Sequence, residues 1–67
     1  MLGLDLLREA ASAGTDVWLE MVDPSGVPLR RRVRPVRVDG GRVRVVDAER
    51  ETEMTVAVHR IASVSRV

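Results

Sequence analysis

Apolar positions change their spacing along this chain, and each change marks an element. From Leu4 the spacing is helical: Leu4, Leu7 and Ala11 recur at i, i+3 and i+7, while Leu6, Ala10 and Ala13 widen the same stripe. Gly14 then stands where a left-handed residue closes a helix, and Asp5 and Glu9 lie toward the end at which the helix dipole favours negative charge. A helix over 1–14 has about three turns, too few to persist alone in water, so its leucine face must pack on something.

After Gly14 the period becomes two. Val17, Leu19 and Met21 share one face of a strand, and Trp18, Glu20 and Val22 share the other. Asp23-Pro24-Ser25-Gly26 is a turn, because proline presets φ early in it and glycine admits a positive φ near its end. The next strand, from about Val27 to Arg34, divides Leu29, Arg31 and Val33 from Arg30, Arg32 and Arg34. Pro35 has no N–H for a ladder, which predicts an edge, a bulge or a break; beyond it Val36 and Val38 are expected to resume the buried face, with Arg37 outward.

Asp39-Gly40-Gly41 predicts a tight hairpin, after which Val43 and Val45 point inward and Arg42 and Arg44 outward. Asp47 to Glu51 reads as a polar loop, and Met54, Val56 and Val58 as a further strand. His59-Arg60-Ile61 breaks that rhythm as a single helical turn before a last short strand over Ser63–Val67. The fold class is therefore mainly β: one domain over 1–67, with an N-terminal helix (1–14) and a small antiparallel barrel or roll of five to six short strands (15–67).

Composition adds constraints to this outline. A chain of 67 residues buries only about 60% of the surface its unfolded form exposes, so its stability is marginal. With no cysteine, disulfides and thiolate chemistry are excluded, which fits a reducing cytoplasm. No run is apolar enough to span a membrane, and Asp5, Arg8 and Glu9 interrupt the first segment in a way unlike a signal peptide; a cytoplasmic location with no membrane partner is expected.

Charge supplies the functional clue. Seven of the eleven arginines lie between Arg30 and Arg44. Against the single Asp39 they give that segment +6, so the rest of the chain totals −5 to leave a net charge of +1. The absence of lysine and the abundance of valine and alanine reflect a compositional bias, which accounts for the identity of the basic residues but not for their clustering. Such asymmetry points to a polyanionic partner.

The series Val17-Trp18-Leu19-Glu20-Met21-Val22-Asp23, a glycine-bearing turn, Arg31-Arg32-Val33-Arg34-Pro35-Val36-Arg37-Val38, Gly40-Gly41 and Thr55-Val56-Ala57-Val58-His59-Arg60-Ile61 resembles the WYL domain. More narrowly, it is similar to the WYL-like module at the carboxyl end of actinobacterial helicase-associated proteins of the XPB-like type. The valine-proline spacing around Pro35 and the run Val58-His59-Arg60-Ile61 carry the resemblance furthest; the Trp-Tyr-Leu triplet itself is absent, and Val56 stands where a larger residue is common. The resemblance implies an Sm-like small β-barrel that senses ligand or nucleic acid in DNA-repair and transcription-regulatory systems and is not a catalyst. It also places His59 and Arg60 near a ligand surface.

The candidate site follows. Arg30, Arg32, Arg34, Arg37 and Arg44 project from neighbouring strands and carry guanidinium forks suited to phosphate; the alternatives are a solvated face or contact with an acidic partner domain. Trp18 either stacks on a base or covers the core or the amino-terminal helix. Arg60 binds an anion, or pairs with Asp47, Glu49 or Glu53 while His59 caps its turn. One histidine and four serines form no nucleophile–base arrangement, no residues cluster at metal-ligand spacing, and no glycine loop cradles a phosphate. The expectation is a non-enzymatic module without metal or cofactor that holds a DNA or RNA backbone or another phosphate-bearing ligand, attached to a helicase or regulator domain. The rival is an interaction module docking a partner, or a second copy, through the helix face and strand edges.

Overall fold

Ten residues, Leu4–Ala13, form helix α1 in the computed structural model, which describes residues 3–67. The first two residues of the expected helix lie outside the described residues. Gly14 closes the helix at φ 71°, donating its N–H to the Ala10 carbonyl at 2.8 Å. Gly3, at φ 73°, sits so close to β5 that a Cβ there would come within 3.1 Å of the Val64 Cβ, so only glycine lets the helix settle against the sheet. Leu7 and Ala10 are fully enclosed, Leu4 and Leu6 partly so, while Ala13 is exposed. The helix thus packs much of its apolar face on its own sheet.

Five strands follow: β1 (Val17–Val22), β2 (Pro28–Asp39), β3 (Arg42–Asp47), β4 (Glu53–Ala57) and β5 (Ile61–Arg66). They pair antiparallel in the order β4-β3-β2-β1-β5. In the β1–β2 turn the Asp23 Oδ1 accepts the N–H groups of Ser25 (2.8 Å) and Val27 (2.9 Å), an aspartate turn that fixes the hairpin register. Asp39 opposes Arg42 directly, so Gly40-Gly41 is a two-residue hairpin, as its sequence predicts.

Pro35 is buried in the middle of a continuous β2 rather than at a break, and this corrects the expected phase. Its missing N–H is absorbed by a bulge: Pro35 opposes Val45 and Arg37 opposes Arg44, leaving Val36 as the extra residue. Pro35 therefore takes the inward place, and Val36, expected to be buried, is exposed at 47%. Beyond the bulge the parity is reset, and Val38 turns partly inward.

The core is one cluster of Leu7, Ala10, Val17, Leu19, Val33, Val43, Val45, Val56 and Ile61, every one drawn from the inward face of a strand or the helix. The order of strands demands strong curvature. Adjacent strands lie about 4.8 Å apart, so a flat five-stranded sheet would hold its edges about 19 Å from each other. Yet β4 and β5 are those edges, and the four Cα steps from Ala57 to Ile61 reach at most about 15 Å even fully extended. The intervening Val58–Arg60 forms a tight 3-10 turn, so the gap is smaller still and the sheet must curl around the core. The curl stops short of closure: β4 and β5 share no ladder, and the molecule is a curled open sheet, not the closed barrel expected from the sequence.

Candidate nucleic-acid interface

The convex face of the sheet collects the arginines. Trp18 and Glu20 on β1 stand opposite Arg32 and Arg30 on β2, and past the bulge Arg37 stands opposite Arg44 and Asp39 opposite Arg42. Arg30, Arg32, Arg34, Arg37, Arg42 and Arg44 are all exposed, whereas Arg31, of opposite parity, is half-buried on the inward face. Alternation alone separates these two sets, as the sequence predicts.

Most of this charge already has company. Glu20 approaches Arg30 at 3.9 Å, Asp16 accepts from the Arg32 Nε at 2.9 Å, Asp39 approaches Arg37 at 3.9 Å and Glu53 contacts Arg44 at 3.0 Å. Six arginines against four carboxylates leave the face at +2. Solvent-exposed pairs of this kind contribute only about 0–1 kcal/mol each, so an incoming polyanion displaces them at little cost. Among the described residues neither Arg34 nor Arg42 has an ion-pair partner, but their surroundings differ. Arg34 borders a hollow with Asp16, Asp47, Glu51 and Glu53 on its walls, an environment hostile to phosphate.

The opposite holds at the Gly40-Gly41 end. Arg37, Arg42 and Arg44 converge with Thr55 and a single carboxylate, Asp39, on a hollow of about 270 Å³. Arg37 and Arg44 are direct cross-strand neighbours, and like charges in that position repel. An anion placed between them would relieve that repulsion. Each set of three arginines meets two carboxylates, Asp39 and Glu53 in one and Glu20 and Asp16 in the other, and what separates them is the further acid around Arg34, which leaves the basic focus at Arg37, Arg42 and Arg44. Arg42 was not singled out from the sequence, although its parity with Arg44 was visible there.

Trp18 is half-buried, and the Arg30 guanidinium lies 4.4 Å from its ring centroid, a cation–π contact that occupies one ring face. It sits on the flank, at the Arg32 register, away from the three-arginine hollow. His59 and Arg60 stand apart from the whole face, exposed on the 3-10 turn beside Val22 and Asp23. Arg60 has no ion pair among the described residues, so the alternative pairing with Asp47, Glu49 or Glu53 is not formed.

Asp47, expected in a solvated loop, is instead enclosed at 3% exposure on the inward side of β3. Its Oδ1 accepts the N–H groups of Glu49 (2.9 Å) and Arg50 (3.0 Å), and its Oδ2 lies 3.9 Å from Arg31. The Arg50 N–H, opposed by burial and reinforced by the Glu49 N–H and the charges of Arg31 and Arg50, holds this carboxyl below the usual aspartate range. A depressed folded-state pKa gives stability that is present above the unfolded value of about 3.9 and is lost as pH falls through the folded value. Asp47→Asn is therefore expected to melt several degrees below the parent at pH 7, with the two melting curves converging as the pH falls through the lowered folded-state value. Melting curves that stay a constant distance apart across that range would show that the charge of Asp47 is not what matters.

Among the described residues no group of three or more His, Cys, Asp or Glu is placed to hold a metal ion, and no helix is long and apolar enough to cross a membrane. No family model matches the chain, and no curated protein and no solved structure matches it either.

Proposed function

We propose that this chain is a non-catalytic accessory module that grips the phosphate backbone of a nucleic acid through the hollow formed by Arg37, Arg42 and Arg44. The observation that carries the reading is that these three arginines line one hollow, two of them cross-strand neighbours, with Asp39 on its wall and Glu53 paired to Arg44 as the carboxylates set against them. Such a site holds phosphates without reading bases, since backbone contacts position a nucleic acid and base edges specify it. Trp18 is turned to its own flank and covered by Arg30, so stacking contributes little.

The resemblance to the WYL domain agrees with this reading. The features in its support are a helix followed by a curled antiparallel sheet in which the last strand, preceded by a 3-10 turn, returns beside the first. On that view the module serves a helicase or a transcription regulator in the cytoplasm, adding affinity for the strand on which its partner domain acts. Titration of labelled single- and double-stranded DNA at low salt tests the proposal: saturable binding is expected, and its absence at 50 mM salt overturns it.

A second reading rests on the two unpaired edges, β4 and β5, which are free to add a strand from a partner protein or a second copy. Light scattering distinguishes it, since self-association through the edges survives charge reversal on the convex face.

A further inference from the structure

The incomplete curl leaves a groove between the tips of the β1–β2 hairpin and β4, on the side of the sheet opposite the arginine face. Met21, Leu29, Met54 and Val56 form its apolar wall, and Arg31 and Arg60 stand along it. Its volume, about 420 Å³, falls within the range of small-molecule sites, roughly 300–1,000 Å³. Val56 belongs to the core, while Met21, Leu29 and Met54 point inward along their strands but are only partly buried and face the cleft. Two of them are methionines, whose unbranched thioethers adapt to the shape of an occupant.

The charged groups select the occupant. Arg60 has no ion pair among the described residues, and Arg31 reaches only the Asp47 Oδ2 at 3.9 Å, beyond hydrogen-bond distance, so its fork has capacity to spare. Asp23 is the one carboxylate on the groove wall, and its Oδ1 is held by the N–H groups of Ser25 and Val27 within its own turn. Asp47 lies against Arg31, so of the two guanidiniums on the groove Arg60 is the one with no ion pair among the described residues. An apolar cleft with one unpaired guanidinium at its margin is complementary to a monoanion on an aliphatic body, and a planar carboxylate is a singly charged head group that a guanidinium fork matches in geometry.

We propose that this groove is a binding site for a medium-chain aliphatic carboxylate, whose chain lies against Met21, Leu29 and Met54 and whose head group is held by Arg60 with Arg31. The groove shares Thr55 but no arginine with the three-arginine hollow, so its occupancy does not require DNA binding. The test is a titration of the full chain with octanoate, 1-octanol and acetate, followed by the methyl resonances of Met21 and Met54. Octanoate is expected to shift both methyls saturably, with octanol, which lacks the charge, and acetate, which lacks the chain, each binding about tenfold more weakly. Arg60→Gln, an exposed substitution that leaves the core intact, is expected to reduce octanoate affinity to the level of octanol while leaving octanol unchanged. Equal binding of octanoate and octanol, an unaffected Arg60→Gln variant, or no methyl shift with octanoate at submicellar concentration would each overturn the proposal.

Discussion

Replacing Arg37, Arg42 and Arg44 together with glutamate is expected to weaken DNA binding by about a hundredfold or more at low salt, because each lost fork removes a charge-assisted contact worth about 1.5–3 kcal/mol. The three side chains are exposed, and the only ion pairs lost are Arg37–Asp39 and Arg44–Glu53, worth at most about 1 kcal/mol each, so the fold persists and circular dichroism should be unchanged. The informative comparison is the same reversal at Arg30, Arg32 and Arg34. Those residues are already balanced by Glu20 and Asp16, or enclosed by the acidic hollow around Arg34, so their loss should cost less than about tenfold through the general field alone. If the two triple variants lose affinity equally, the whole face acts as one electrostatic surface and the hollow has no special role.

The second large effect is on stability. Leu19 is fully buried at 0% exposure, on β1 between its partners β2 and β5, and it belongs to the single core that every element shares. Truncating a buried leucine to alanine costs about 2–5 kcal/mol. At roughly 0.05–0.15 kcal/mol per residue, a 67-residue domain has only about 3–10 kcal/mol in total. Leu19→Ala should therefore leave a large unfolded fraction at 37 °C, read as lost amide dispersion and a collapsed thermal transition. Val22→Ala, on the same strand but 38% exposed, should melt close to the parent. A Leu19→Ala protein that melts cooperatively near the parental temperature would mean that the core is held by something other than this cluster, such as self-association.

Much of this architecture is legible in the chain because short-range rules set it. The period of three to four over Leu4, Leu7 and Ala11, the alternation from Val17 to Val22 and the Asp23–Gly26 and Gly40-Gly41 turns each identify an element that is present. What escapes is the consequence of long-range pairing. Val36 and Pro35 are both apolar enough to fill an inward place, so sequence alone cannot show that a bulge gives it to the proline; that depends on the β3 register. Closure escapes likewise, since whether β4 meets β5 depends on the accumulated curl of the sheet.

Site residues divide along the same line. The outward parity of Arg30, Arg32, Arg34, Arg37 and Arg44 is visible in the sequence, but their inequality is not, because the carboxylates that neutralise Arg30, Arg32 and Arg44 come from β1, β4 and the residue before β1. Asp47 had a readable signal: it continues the inward parity of Val43 and Val45, and an aspartate commonly accepts the N–H groups two and three residues on. Its place in an acid-rich stretch concealed it.

The most direct test of the three-arginine grip is the salt dependence of DNA affinity for the parent protein. Neutralising three phosphates predicts a slope of log K against log salt of about −2 for single strands and about −3 for duplex, a roughly 20- to 40-fold loss between 50 and 200 mM. A slope near −5 would show that all six convex-face arginines engage. A slope near zero, or no binding at 50 mM, would contradict a phosphate-binding hollow at Arg37, Arg42 and Arg44.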